Sequence, residues 1–234
     1  MDPTDLLCTV PGQTAAAIAA GGALGLDARV PSCPGWDVRS VFGHLGAVHR
    51  WAAHLIASGA TELGRPPDDR PADDEIASWL QRGADELEAV GLANGPGAPA
   101  ANRPGAPPTA AFWFRRMAHE TAVHSWDVRS AAGNAAPIPA DLACDGIDEL
   151  LSVVLPRRKP AGMSGTLHVH CTDVPGEWTV DLATSVTRPE HAKADAAIRG
   201  EASDLLLRLL NRTEAGETFG DPQVLAAWKS SFRF

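Results

Sequence analysis

The sequence predicts an α+β multidomain protein, with an all-helical N-terminal part followed by a smaller α+β part. Three observations carry this. Apolar residues recur at intervals of three and four through residues 38–58, 73–91 and 109–132, the spacing of helices with one buried face. The period shortens to two in residues 165–171 and 178–184, as in half-buried strands. Between the two regimes stands RRKPAG, residues 157–162, so the expected division is 1–158 and 159–234. At 234 residues, 44% apolar and 21% charged, the chain can give each part a core of its own.

Residues 3–20, with Leu6, Leu7, Val10, Ala17 and Ile18, form the first helix, which Pro11 and Gly12 should break or kink. RVPSCPGWDVRS is turn chemistry: Pro31, Pro34 and Gly35 stop regular structure, and Asp37 or Ser32 can cap the helix that follows. That helix spans Val38 to Ser58, with Val41, Leu45, Val48, Ala52 and Leu55 as its core stripe. After a loop at 64–72, Ile76, Trp79, Leu80, Leu87 and Val90 mark a third helix. Residues 91–108, rich in Gly and Pro, are expected to be a mobile surface loop. The strongest helix runs from Thr109 to Ala132 and ends at Gly133-Asn134. A fifth, 140–155, follows Pro137 and Pro139 and is expected to stop at Pro156.

In the second part, GTLHVHC (165–171) and WTVDLAT (178–184) form a hairpin through a Pro-Gly-Glu turn, and 194–199 adds a strand. EASDLLLRLLNR is an amphipathic helix, and a last helix begins near Asp221-Pro222.

Charge narrows the function classes. A net charge of -9 repels phosphate backbones and anionic lipid, and the densest basic run, Arg157-Arg158-Lys159, is too short to reverse that. Neither nucleic acid nor a membrane is an expected partner. Acids near the N-terminus, where a signal peptide carries bases, point to a cytoplasmic protein. The cysteines, Cys8, Cys33, Cys144 and Cys171, form no C-x-x-C pair and read as small hydrophobes. Arginine outnumbers lysine 17 to 3 beside much Ala, Gly and Pro, as in GC-rich genomes.

The chemistry lies in RMAHETAVHSWD. Glu120 and His124 are four apart, so on a helix they project from nearly the same side and can grip one ion. A third ligand can come from His44, His49 or His54, which are spaced by five and cannot all point inward. His44 lies near the edge of the buried stripe, whereas His49 and His54 look more exposed. Two imidazoles and one carboxylate leave a position open, as catalytic divalent sites do; zinc suits them best, with nickel or iron accepted. A thiol bound there loses its proton near neutral pH. Asp127 either orients a ligand imidazole or solvates its helix. His168 and His170 share a strand face without an evident third partner and read as structural, and Trp36, Trp51, Trp113 and Trp126 as core.

Residues 29–51, RVPSCPGWDVRSVFGHLGAVHRW, and the motif MAHETAVHSWDV resemble the signatures of the mycothiol-dependent maleylpyruvate isomerase family. PIPADLACDGIDELL is similar to that family's fifth helix, and the tail to its small C-terminal domain. The resemblance implies a DinB-like up-down four-helix bundle, a divalent metal (usually zinc) on His44, Glu120 and His124, and mycothiol as cosubstrate. It also implies an arginine lent by the C-terminal domain, which Arg212 matches most closely, and an actinobacterial source in keeping with the codon bias. The implied activity is cis–trans isomerisation of a maleylpyruvate-like acid or transfer of the thiol to an electrophile in detoxification. A non-catalytic module that binds a small molecule is the alternative.

Overall fold

The computed structural model describes residues 1–67, 69–102, 106–158 and 162–231. The chain divides into two compact units, Met1–Ala136 and Pro137–Phe234.

The first unit is a helical bundle of α1 (Pro3–Cys8), α2 (Val10–Leu24), α3 (Val38–Ser58), α4 (Ile76–Asn94) and α5 (Ala110–Ala131), with α1 and α2 together filling one corner. The expected break in the first helix falls at Thr9, and Pro11 sits in the first turn of α2, where its missing N–H costs nothing. The stretch Pro3–Leu24 has the length and apolarity of a membrane span, with a mean hydropathy of 1.2. The break at Thr9 interrupts it, and Leu6, Leu7, Val10, Ala17 and Ala20 are buried.

Glycines set the closeness of α3 to α4. A Cβ on Gly46 would stand 2.0 Å from the Trp79 ring, and one on Gly83 2.4 Å from the Arg50 guanidinium, which lies 4.1 Å over that ring. Val41, Leu45, Ala52 and Leu55 are buried as their spacing predicts, while Val48 is half-buried. The segment expected to be a mobile loop is tied down where it is described. Residues 91–94 complete α4, Ala100 and Ala101 are buried, and Ala101 N–H donates to the Ala60 carbonyl at 2.8 Å. The Ala101 carbonyl accepts the Trp113 indole N–H at 2.9 Å. Backbone bonds thus replace the regular structure that Pro and Gly forbid. Residues 103–105 of that segment lie outside the described residues.

In the second unit α6 (Ala140–Glu149) passes through a widened π-type turn, Leu150–Val154, into α7 (Leu155–Arg158). The helix continues past Pro156, with Leu155 N–H on the Leu150 carbonyl in the wide turn just before it. A five-stranded sheet follows in the order β3-β2-β1-β4-β5: β1 Thr166–Cys171, β2 Glu177–Asp181, β3 Val186–Arg188, β4 Ala196–Gly200 and β5 Glu217–Gly220. Only the β1–β4 pair is parallel. The outer strands β3 and β5 had no alternation to announce them; every residue of β5 is exposed. Helices α8 (Ala202–Leu209) and α9 (Pro222–Ser231) complete the unit.

The division between units lies ahead of α6, not at 158/159. Helix α6 packs on α8, Ile138 N–H donates to Ser203 Oγ at 2.9 Å, and the Trp178 indole donates to Asp148 at 3.0 Å. The apolar face of 140–155 therefore serves the second core, a choice that periodicity alone does not reveal.

Candidate metal centre

The donors converge because two helices and one tight turn are each fixed locally. Asp37 caps α3, its carboxylate accepting from Ser40 N–H at 2.8 Å and Ser40 O–H at 2.6 Å. These bonds hold the Asp37 carboxyl below its usual pKa. Ahead of the cap, Val30 N–H bonds the Trp36 carbonyl at 3.1 Å and Trp36 N–H bonds the Cys33 carbonyl at 2.9 Å. Gly35 takes a φ of 86°, which the turn requires.

His44, Glu120 and His124 come together as expected, with their ligand atoms all within 4.8 Å of one another. His44 Nε2 lies 2.7 Å from Glu120 Oε1, and His124 Nε2 lies 3.6 Å from the same oxygen. Burial holds the His44 pKa at about 4, with the charges of His124 and Arg116 pushing the same way, so its ring is neutral at pH 7 and offers a lone pair. Arg116, one turn before Glu120 on α5, contacts the other oxygen of that carboxylate.

His124 is oriented from behind. Its Nδ1 lies 2.9 Å from Asp127 Oδ2, and that carboxylate also accepts the Cys33 thiol at 3.1 Å. Asp127 is completely buried and holds the His124 ring, so it does not solvate its helix. Burial by itself would lower the His124 pKa, but the hydrogen bonds and charges of Asp127 and Cys33 outweigh it and the net shift is upward. With Nδ1–H directed at Asp127, Nε2 carries the lone pair and faces Glu120, an arrangement that makes a ligating imidazole more basic. Cys33, His124 and Asp127 also form a tight group, but His124 enters it through the nitrogen already given to Asp127.

Trp36 was expected in the core; it is instead half-buried against the donors. Its ring stacks on His124 at 5.6 Å with an 18° tilt and stands 5.2 Å from His44. His49 also departs from expectation: it is fully buried, its Nε2 2.8 Å from Thr121 Oγ1 on α5, while His54 is exposed as expected. Burial, aided by the charges of His44 and Arg50, pushes the His49 pKa down to about 3. The sequence reading took His49 as one of the more exposed histidines, whereas packing of α3 on α5 buries it against Thr121.

The donor set fits a divalent ion: two imidazoles with available nitrogens, one carboxylate, and a buried acid setting one tautomer. Residues 11–129, which hold all of these groups, match the family model described as the mycothiol maleylpyruvate isomerase N-terminal domain. The chain belongs to the mycothiol maleylpyruvate isomerase family. Residues 141–227 match the model of that family's C-terminal domain. Two solved structures share the fold, a mycothiol-dependent maleylpyruvate isomerase and a histidine-to-alanine mutant of one. The TM-scores are 0.66 and 0.65, at 12% identity and with 93% of each chain covered. No curated protein sequence matches this chain significantly.

The family's C-terminal domain here contains Arg212, which lies past the end of α8. Asn211, at a φ of 61°, turns the chain out of the helix, and Arg212 N–H returns to the Leu207 carbonyl at 2.8 Å. Its guanidinium donates to the Leu210 carbonyl at 2.8 Å. The signals that sequence reasoning passed over, Cys33 and Trp36, stand within the PSCPGWD turn of the family-like motif.

Proposed function

We propose that this chain is a metal-dependent isomerase that uses mycothiol to interconvert cis and trans forms of a small, electron-poor, maleylpyruvate-like acid. The observation that carries the reading is the meeting of His44, Glu120 and His124, with His124 held by a fully buried Asp127. Family membership and the fold shared with mycothiol-dependent maleylpyruvate isomerases support it.

His44, Glu120 and His124 would hold the ion, zinc being best matched by imidazole and carboxylate, with nickel or iron as substitutes. Such an ion lowers the pKa of a bound thiol, so that thiolate is available at neutral pH. The protein's own groups prepare that site. Asp127 keeps the His124 ring in one tautomer, the Cys33 thiol supports Asp127, and Arg116 fixes the Glu120 carboxylate through charge. Trp36 walls the donors with an apolar face, which excludes water and flanks a ligand. Arg212 is assigned the substrate carboxylate, which a guanidinium can hold by two parallel hydrogen bonds. The partners are thus a small thiol and an electrophilic acid, in a cytoplasmic setting.

Thiol addition followed by elimination regenerates the thiol, whereas addition alone leaves it on the electrophile, as in detoxifying S-transfer. One experiment separates the two: zinc-loaded protein is given mycothiol with maleylpyruvate or with a panel of electrophiles, while substrate and free thiol are followed. Isomerisation consumes substrate at constant thiol; S-transfer consumes both in equal amounts. Turnover that persists in chelator, or in His124→Ala, would overturn the metal-dependent reading.

A further inference from the structure

The sheet of the second unit carries another set of metal-ligating side chains, far from the first in sequence. His168 and His170 stand on the same face of β1, and the antiparallel register sets Glu177 of β2 directly opposite His170. A fourth member, His191, comes from the connection between β3 and β4. That connection is fastened on both sides of His191. Thr179 Oγ donates to the Glu190 carbonyl at 3.0 Å, and Asp195 accepts from Thr166 N–H at 2.8 Å and Thr166 O–H at 2.9 Å.

The four side chains place their ligand atoms within 4.8 Å of one another. His168 Nε2 lies 2.8 Å and His170 Nδ1 3.2 Å from Glu177 Oε1, and His191 Nδ1 contacts the same oxygen. One carboxylate oxygen has two lone pairs, so three imidazole nitrogens directed at it exceed what it can accept. A cation among the four donors satisfies them all. Donors at about 2.0–2.2 Å around a tetrahedral zinc stand roughly 3.5 Å apart, a spacing that small side-chain shifts give here.

We propose that His168, His170, Glu177 and His191 form a second divalent-metal site, suited to zinc and structural in role. Three imidazoles and a carboxylate from the protein complete a tetrahedral shell and leave no place for substrate, unlike the three-donor centre in the helical unit. The ion would clasp the β1–β2 hairpin to the connection leading into β4. The exposed His191, with 75% of its side chain accessible, gives the ion a route in.

The test uses the full chain stripped of metal and titrated with Zn2+ alone against a competing chelator. The first centre is removed by Glu120→Gln with His124→Ala, so the outcome does not depend on the proposed activity. This variant is expected to take up one equivalent of zinc and to melt at a higher temperature with it. Adding His191→Ala should weaken that uptake at least tenfold; its side chain is mostly exposed, so folding is spared. His168→Asn should do the same. In the otherwise unchanged chain, His191→Ala should lower the zinc content from two equivalents to one. Absence of stoichiometric zinc uptake by the Glu120→Gln, His124→Ala variant with a native circular dichroism spectrum would overturn the proposal. So would uptake that His191→Ala and His168→Asn leave unchanged.

Discussion

The two histidine clusters are built from the same kinds of side chain, and what separates them is how each donor is held. In the helical unit three donors come from two helices, and His124 is backed by a buried acid, a buried thiol and a tryptophan ring. At the sheet three imidazoles converge on one oxygen of the fourth donor, Glu177, without a buried acid behind them among the described residues. Orientation from behind with one donor fewer suits an ion that must accept a ligand; a full shell on a sheet face suits an ion that fastens chain segments.

The largest difference should appear in turnover. His124→Ala or Glu120→Gln is expected to reduce mycothiol-dependent isomerisation to background and to remove one zinc, whereas His168→Asn should leave turnover within a few-fold of the parent. Parallel steady-state assays and metal analysis check both halves, and equal losses at the two clusters would erase the distinction. Next comes the support behind His124: Asp127→Asn should weaken zinc binding or activity by about 10–100-fold, the usual effect of removing such a partner. A competition titration measures it, and affinity unchanged in Asp127→Asn would demote the acid to a packing role.

His49 provides a contrast in pH response. Its pKa is about 3 in the folded protein against 6.5 for an ordinary histidine, so between these values the unfolded chain binds a proton that the folded one refuses. Stability is full above pH 6.5 and falls as the pH drops through that window, by about 1.4 kcal/mol per pH unit for one proton. Urea midpoints of metal-free protein at pH 4.5, 5.5 and 7 should show this, with the slope reduced by one proton in His49→Gln. A slope unaltered by that substitution would assign the effect elsewhere. Smallest is the stabilisation from the sheet cluster: in the Glu120→Gln, His124→Ala chain, zinc at a hundredfold its Kd should raise the melting temperature by on the order of 5–10 °C, and His191→Ala should cut that rise by half or more.

Much of the helical unit is legible in sequence because each helix carries its own period and its own stop. The Asp37 cap and the buried Val41, Leu45, Ala52 and Leu55 follow from local pattern. The Glu120–His124 pair is equally local, being one helical turn. The fate of 140–155 was not, since an amphipathic helix records that it has a partner but not which one. The outer strands β3 and β5 are short, and β5 is wholly exposed, so neither shows a period to read.

By itself, then, the sequence determined the α+β class, the order of the main elements, and three donors whose types and spacing suit a divalent ion. Tertiary structure alone decided that Cys33 and Trp36 gather around His124 and that Asp127, one turn along the same helix, is fully buried beside it. It also buried His49 against Thr121 and brought Glu177 and His191 to His168 and His170. Spacing along a chain fixes which side chains share one helix or strand face. Which faces meet depends on packing between elements, and a turn such as PSCPGWD delivers its side chains to a neighbour that no local period identifies.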